Sequence, residues 1–227
     1  MTIKLKERHV DDYLNYRKNI KEICNELNIS RSKFSNDLQK LGYKSREKYF
    51  RELDFENDEL IEKLKTKYHL IIKKIREKPD YANFKFLRLD EYIDFCNGKK
   101  GKILKLWNNY IKNDKAIKLT ISIDRTDTSE GYISSNMKFV SYGYNAWRRN
   151  IRPVKVIYES KKYYFMSCEE GTRYFDIRRQ SFGDMLRGKY REISEDYTIK
   201  ESDIETVLNN SKVDNLEDYY NKYIFRS

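Results

Sequence analysis

Apolar residues recur at helical spacing over roughly residues 10–78. Ile20, Ile23, Leu27, Ile29, Phe34, Leu38 and Leu41 carry the pattern, with a break at Asn28-Ile29-Ser30. Ser30 is placed to cap a second helix and Gly42 to close it. Helix, tight turn, helix is the helix-turn-helix order, with a plain helical hairpin as the alternative. The second helix would display Arg31, Ser32, Lys33, Ser35, Asn36 and Lys40, types suited to groove and phosphate contacts. A third helix is predicted over 56–77, with Leu60, Leu64, Tyr68, Ile71 and Ile75 on one face and Lys78-Pro79-Asp80 ending it. Helices near 89–96 and 102–112 flank a turn at residues 97–101, with Trp107 and Tyr110 as core residues.

The period then changes. Leu119 to Ile123 alternates and is rich in β-branched residues, which predicts a strand. A polar, turn-rich run from Asp124 to Gly131 follows, then a second short strand at 137–142 and a basic helix starting at Asn145. This is a ββα unit. After Pro153, residues 154–158 and 162–166 predict a hairpin turning at 159–161. Ser167 and Glu170 have capping-box spacing. The helix they start runs through Phe175, breaks at 176–179, and is followed by another carrying Phe182, Met185 and Leu186 up to Gly188. Asn28-Ile29 with Phe34 and Leu38 has the same offsets as Asp176-Ile177 with Phe182 and Leu186, an internal echo of two helix-turn-helix-like units. The expected class is α+β. A helical region covers 1–78, the ββα core with its preceding helices 79–152, a hairpin plus helix-turn-helix 153–200, and an acidic Tyr-rich helix 201–227.

Composition narrows the function. The 227 residues are 39% hydrophobic and 37% charged, favouring several small modules over one large core. Aromatic content of 15%, with 20 tyrosines, argues against disorder. No apolar run approaches a membrane span, and the first residues lack the apolar stretch of a secretory signal. Cys24, Cys96 and Cys168 are dispersed without metal-ligand spacing, so no structural zinc and a reducing cytoplasmic location are expected. Only His9 and His69 exist, which excludes chemistry that needs a histidine cluster. Lys and Arg number 47 against 36 Asp and Glu, a net charge of +11 that points to a polyanion.

The informative run is Ile123-Asp124-Arg125-Thr126-Asp127-Thr128-Ser129-Glu130-Gly131-Tyr132, then Asn136, Met137 to Val140, and Asn145. A one-metal nuclease needs a carboxylate at a strand end and a facing oxygen ligand around a hard cation that bridges phosphate oxygens. Asp124 and Asn145 suit the two ligands, and Asn136 suits a loop-fixing role. Plainer readings stand beside these: Asp124 as a turn residue and Asn145 as a helix N-cap.

The run S-I-D-R-T-D-x-S-x-G-Y-x-x-x-N-x-x-F-V resembles the core of the HNH (His-Me finger) endonucleases, in their phage homing-endonuclease branch. Asp124, Asn136 and Asn145 match that motif position by position. Residues 154–200 resemble the modular DNA-binding repeats found downstream of such cores; residues 1–115 carry no such resemblance. The resemblance implies metal-assisted hydrolysis of duplex DNA with Mg²⁺ or Mn²⁺. It also implies catalytic roles for Asp124, Arg125, Asn136 and Asn145, with Asp124 and Asn145 as metal ligands. Arg125 stands where better-understood members carry a histidine base, and an arginine is no ordinary base. Three readings follow. Water is activated mainly by metal with Arg125 on the scissile phosphate; or Asp127, His9 or His69 is the base; or the core only binds DNA. Expected DNA contacts are Arg31, Lys33, Asn36, Arg148, Arg149, Arg152, Arg178, Arg179, Arg187 and Lys189, in a monomer on double-stranded DNA. A DNA-binding regulator on a degenerate core is the first alternative, and an RNA-binding or phage accessory protein the second.

Overall fold

In the computed structural model the described residues are 4–81, 84–176 and 197–225. They form a mixed α+β chain with a two-stranded and a three-stranded antiparallel sheet. The chain divides into two compact units, residues 1–142 and 143–227.

The first unit opens with α1 (Glu7–Leu14), α2 (Ile20–Leu27), α3 (Arg31–Lys40) and α4 (Arg46–Phe50). Local chemistry sets their ends. Asn19 Oδ1 accepts from Glu22 N at 3.0 Å while Glu22 accepts from Asn19 N, starting α2. Asn28 takes the left-handed conformation (φ 50°) and closes it. Ser30 Oγ accepts from Lys33 N at 3.1 Å, starting α3, and Gly42 (φ 84°) follows its last turn. Ile23, Cys24, Phe34 and Leu38 are buried; Leu41, read from the sequence as core, is exposed because α3 ends one residue before it.

The long helix α5 (Asp58–Glu77) buries Leu60, Leu64, Tyr68, Ile71 and Ile72. Ile72 is buried beside the expected stripe, and Ile75, near the end of the helix, is half-buried. The Tyr68 hydroxyl donates to Leu14 O and Leu87 O, and the Tyr92 hydroxyl to Leu64 O. These bonds satisfy two phenols inside the core. The helices α6 (Leu89–Gly98) and α7 (Lys100–Lys112) are separated by Lys99 alone, so the expected five-residue turn is absorbed into helix. Trp107 and Tyr110 are buried, as the pattern predicted.

The strands β1 (Ile121–Arg125) and β2 (Met137–Ser141) pair with Ile123 opposite Phe139 and Asp124 opposite Lys138. The first strand starts two residues later than expected, because Ile117–Leu119 forms a 3₁₀ turn. Phe139 stacks on Phe95 of α6 at 5.2 Å, fixing this face of the ribbon against the helices. Asp124 lies on the other face.

The second unit holds most of α8 (Tyr142–Arg148), which begins where β2 ends. Asn145 therefore lies inside the helix and does not cap it, contrary to the plainer reading of that residue. The strands β3 (Val154–Tyr158), β4 (Lys161–Phe165) and β5 (Tyr197–Glu201) form a sheet in the order β4-β3-β5. The β3–β4 hairpin turns on Glu159 and Ser160, both with positive φ, which shifts β4 one residue earlier than expected. The fifth strand was not predicted. Ser167 Oγ caps α9 (Cys168–Tyr174) through Glu170 N. Asp176 (φ 53°) follows α9 in the same left-handed conformation as Asn28, so the first position of the internal echo is shared in conformation. Its remaining positions, 177 to 186, lie outside the described residues.

The expected single C-terminal helix is instead α10 (Ile204–Ser211), α11 (Leu216–Tyr219) and a π turn at Tyr220–Ile224. Lys212, left-handed at φ 53°, ends α10, and Asn215 caps α11 through Asp218 N, so one continuous helix is interrupted. Val207, Tyr219 and Tyr220 are buried; Val207 and Tyr219 share a core with Ile151 and Met166. Among the described residues, no helix is long and apolar enough to cross a membrane.

Candidate functional site

The loop between β1 and β2 is tied at its base by Asn136, which is 3% exposed. Its Oδ1 accepts from Asp127 N at 2.7 Å, and its Nδ2 donates to Asp127 O at 2.8 Å and Gly131 O at 3.0 Å. The backbone adds a bond from Thr126 N to Asn136 O at 2.8 Å. One carboxamide thus fixes both limbs of an eleven-residue loop, 126–136, with every bond to backbone. Gly131 is demanded by a close approach: a Cβ there would lie 1.8 Å from Lys85 O. The approach is held by a parallel bridge between Phe86 and Tyr132 and by Leu87 N donating to Tyr132 O at 2.9 Å.

Asp124 is the penultimate residue of β1 and is nearly buried, with Lys138 Nζ 3.9 Å from its Oδ2. The lysine lies on the same strand face because the two residues are cross-strand partners. Asn145, 4% exposed, sits in α8 of the second unit. A carboxylate and a carboxamide are both hard oxygen donors, the chemistry Mg²⁺ or Mn²⁺ takes. Among the described residues no cluster of three or more His, Cys, Asp or Glu side chains is placed to hold a metal.

Arg125 departs from the expectation of a phosphate clamp. It is 9% exposed, and its guanidinium faces Tyr81, Phe84 and Tyr132 at 4.9, 5.2 and 5.2 Å from the ring centroids. Nη1 donates to Glu130 O at 2.7 Å and Nη2 to the Tyr81 hydroxyl at 3.2 Å. The side chain therefore latches the loop from the face opposite Asp124. Lys74 closes the cluster, donating to the Tyr132 hydroxyl at 3.0 Å and lying 4.5 Å from the Tyr81 ring centroid. Burial alone would raise the Tyr81 phenol, but the Lys74 and Arg125 charges outweigh it and hold it below the ordinary tyrosine range.

The candidate bases are placed as follows. Asp127 is exposed and accepts from Ser129 N and Ser129 Oγ at 2.8 and 2.6 Å. These bonds hold its carboxyl below the ordinary range and weaken it as a base. His9 is buried in α1, its Nδ1 accepting from Lys6 N at 3.0 Å. His69 is held edge-on between Tyr16 and Phe50, with its basicity lowered by burial and then by Arg46. Both histidines serve the helical region.

Of the expected DNA contacts, Arg31 and Asn36 are exposed on α3. Lys33 is turned inward, 2.6 Å from the buried Asp37 carboxylate, which also accepts from Lys4 N. Arg149 and Arg152 are exposed and Arg148 is half-buried. Arg178, Arg179, Arg187 and Lys189 lie outside the described residues. Sequence reasoning missed the groove of about 540 Å³ between α3 and α4, where Lys44, Lys48 and Arg51 line one side. Their spacing of four and three residues was the available signal. It also missed Arg46, whose guanidinium lies 3.6 Å from the Tyr16 ring centroid and donates to Tyr13 O and Lys18 O.

Compared with protein-family models, curated proteins and solved structures, the chain matches none.

Proposed function

We propose that the chain is a DNA endonuclease of the HNH homing type. The observation that carries this reading is the loop that Asn136 ties between β1 and β2, with Asp124 at its entry and α8 following directly. Asp124 would supply a carboxylate ligand to Mg²⁺ or Mn²⁺, and Asn145 is the second ligand that the sequence motif implies. The cation, when bound, supplies charge neutralisation at the phosphate and acidifies a water. The chain does the rest. Asn136 and Arg125 keep the loop rigid from opposite sides, and Lys138 keeps a positive charge beside Asp124 in the unliganded protein. Exposed Arg31, Asn36, Arg149 and Arg152 supply phosphate and base contacts along the duplex, with a steep salt dependence.

A second reading, a DNA-binding regulator on a degenerate core, is favoured by the packing of Arg125. Its guanidinium is held among rings and loop atoms where a histidine base would otherwise stand.

The deciding experiment is cleavage of supercoiled DNA at low salt with Mg²⁺, Mn²⁺ or EDTA, using the wild type and Asp124→Ala. The nuclease reading expects metal-dependent nicking that falls on the order of 100-fold or more in Asp124→Ala, with duplex binding retained. Duplex binding without cleavage under any metal would replace it with the regulator. Equal affinity for single-stranded RNA and duplex DNA would remove both.

A further inference from the structure

The second unit contains a cleft of about 630 Å³ that none of the expected contacts uses. Its volume falls within the range of small-ligand sites. One wall comes from β4 and α9, where Tyr174 packs on Tyr163 and Phe165, each at 5.5 Å between ring centroids. The other comes from the C-terminal turn, where Tyr219 and Tyr223 lie 4.9 Å apart.

Both walls are held in place. The Tyr219 hydroxyl donates to Glu170 Oε2 at 2.9 Å, and the Tyr223 hydroxyl donates to Ser211 O at 3.0 Å. Tyr219 is buried, but one ring on each wall is open: Tyr174 is 63% and Tyr223 41% exposed. Two cations, Lys162 and Arg173, are exposed on the lining. The carboxylate within it, Glu170, already accepts from Tyr219, Trp147, Met166 N and Ser167. Fixed aromatic faces with cations beside them are the arrangement that stacks a planar ring and neutralises an attached anion.

We propose that this cleft binds a nucleobase carrying a phosphate, the ring stacking on the tyrosine walls and the phosphate meeting Lys162 and Arg173. The base is either part of a single strand or belongs to a free nucleotide. The inference does not rest on the nuclease reading, since it needs neither the β1–β2 loop nor a metal.

The test uses the full chain at 150 mM salt with three probes: a fluorescein-labelled dT12, an abasic strand of the same length, and dTMP as competitor. Tyr174→Ala removes an exposed ring, and retention of its melting temperature checks the fold. It is expected to weaken dT12 binding about 5- to 100-fold, the worth of one stacked base. The abasic strand is expected to bind weakly and to be insensitive to this substitution. Lys162→Glu, on an exposed strand position, is expected to weaken dT12 about 5-fold or more. Competition by dTMP identifies a free nucleotide as the ligand source, and dT12 binding that resists dTMP identifies the strand. The proposal is overturned if Tyr174→Ala and Lys162→Glu leave dT12 and dTMP binding unchanged, or if the abasic strand binds as tightly as dT12.

Discussion

The two units each bury a charge, and they do so by opposite means. In the first, Arg125 is a cation accepted by three aromatic faces, a backbone carbonyl and one phenol. In the second, Glu170 is an anion accepting from an indole, a phenol, a hydroxyl and a backbone N–H. The difference follows from what each charge can use. A guanidinium is planar and weakly hydrated, so ring faces replace water at modest cost. A carboxylate must have donors on both oxygens, and each missing donor exposes the desolvation penalty. Arg125 should therefore tolerate partial replacement better than Glu170, although both join elements distant in the chain.

The largest expected effect is in the second unit. Glu170→Ala leaves four buried or half-buried donors without their acceptor and removes the anchor of Trp147 and Tyr219. We expect a loss of about 3 kcal/mol or more. The protein contains two tryptophans, Trp107 in the first unit and Trp147 in the second. Urea unfolding of single-tryptophan variants therefore reads each unit separately. The loss should appear in the Trp147 signal; an unchanged midpoint there would mean that the four bonds do not hold this unit together.

Arg125→Ala comes next, at about 2 kcal/mol in the Trp107 signal, from one lost carbonyl bond and the ring contacts. Arg125→Lys keeps the cation among the rings and should recover about half. The comparison is sharpened by amide exchange at Asp127, whose N–H is bonded to Asn136: Arg125→Ala should speed it while Arg125→Lys largely protects it. If lysine is as damaging as alanine, the fork of donors matters and the ring faces do not.

These two centres also mark the limit of what the sequence discloses. The helix caps at Ser30 and Ser167 were legible because each acts on a backbone N–H three positions on. The long amphipathic α5 was legible because its period repeats for five turns. Asn136 could be assigned to loop fixing because its partners lie 5 and 9 residues away. Arg125 could not be assigned to its aromatic box, because Tyr81 reaches it across 44 residues. Glu170 showed only its local role, Ser167 capping; its bond to Tyr219 spans 49 residues. The strand β5 was missed for the same reason: Tyr-Thr-Ile-Lys-Glu is short, and only its pairing with β3 makes it a strand.

The smallest effect separates the two charges most cleanly. Burial pushes the Glu170 carboxyl above the ordinary glutamate range, and its four donors pull it back only in part. The folded protein then keeps a proton on Glu170 at pH values where the unfolded chain has released it. Stability therefore falls as pH rises from the ordinary glutamate range to the raised folded value, and the slope vanishes above that value. Arginine keeps its charge throughout this window, so the Arg125 centre adds no such slope. We expect the Trp147 midpoint of the wild type to decline across this window. Glu170→Gln, which cannot titrate, should flatten that decline while lowering the midpoint at every pH, because its amide turns one acceptor into a donor among donors. The Trp107 midpoint should not respond to this substitution at any pH. A Trp147 slope that survives in Glu170→Gln would assign the pH dependence to another group.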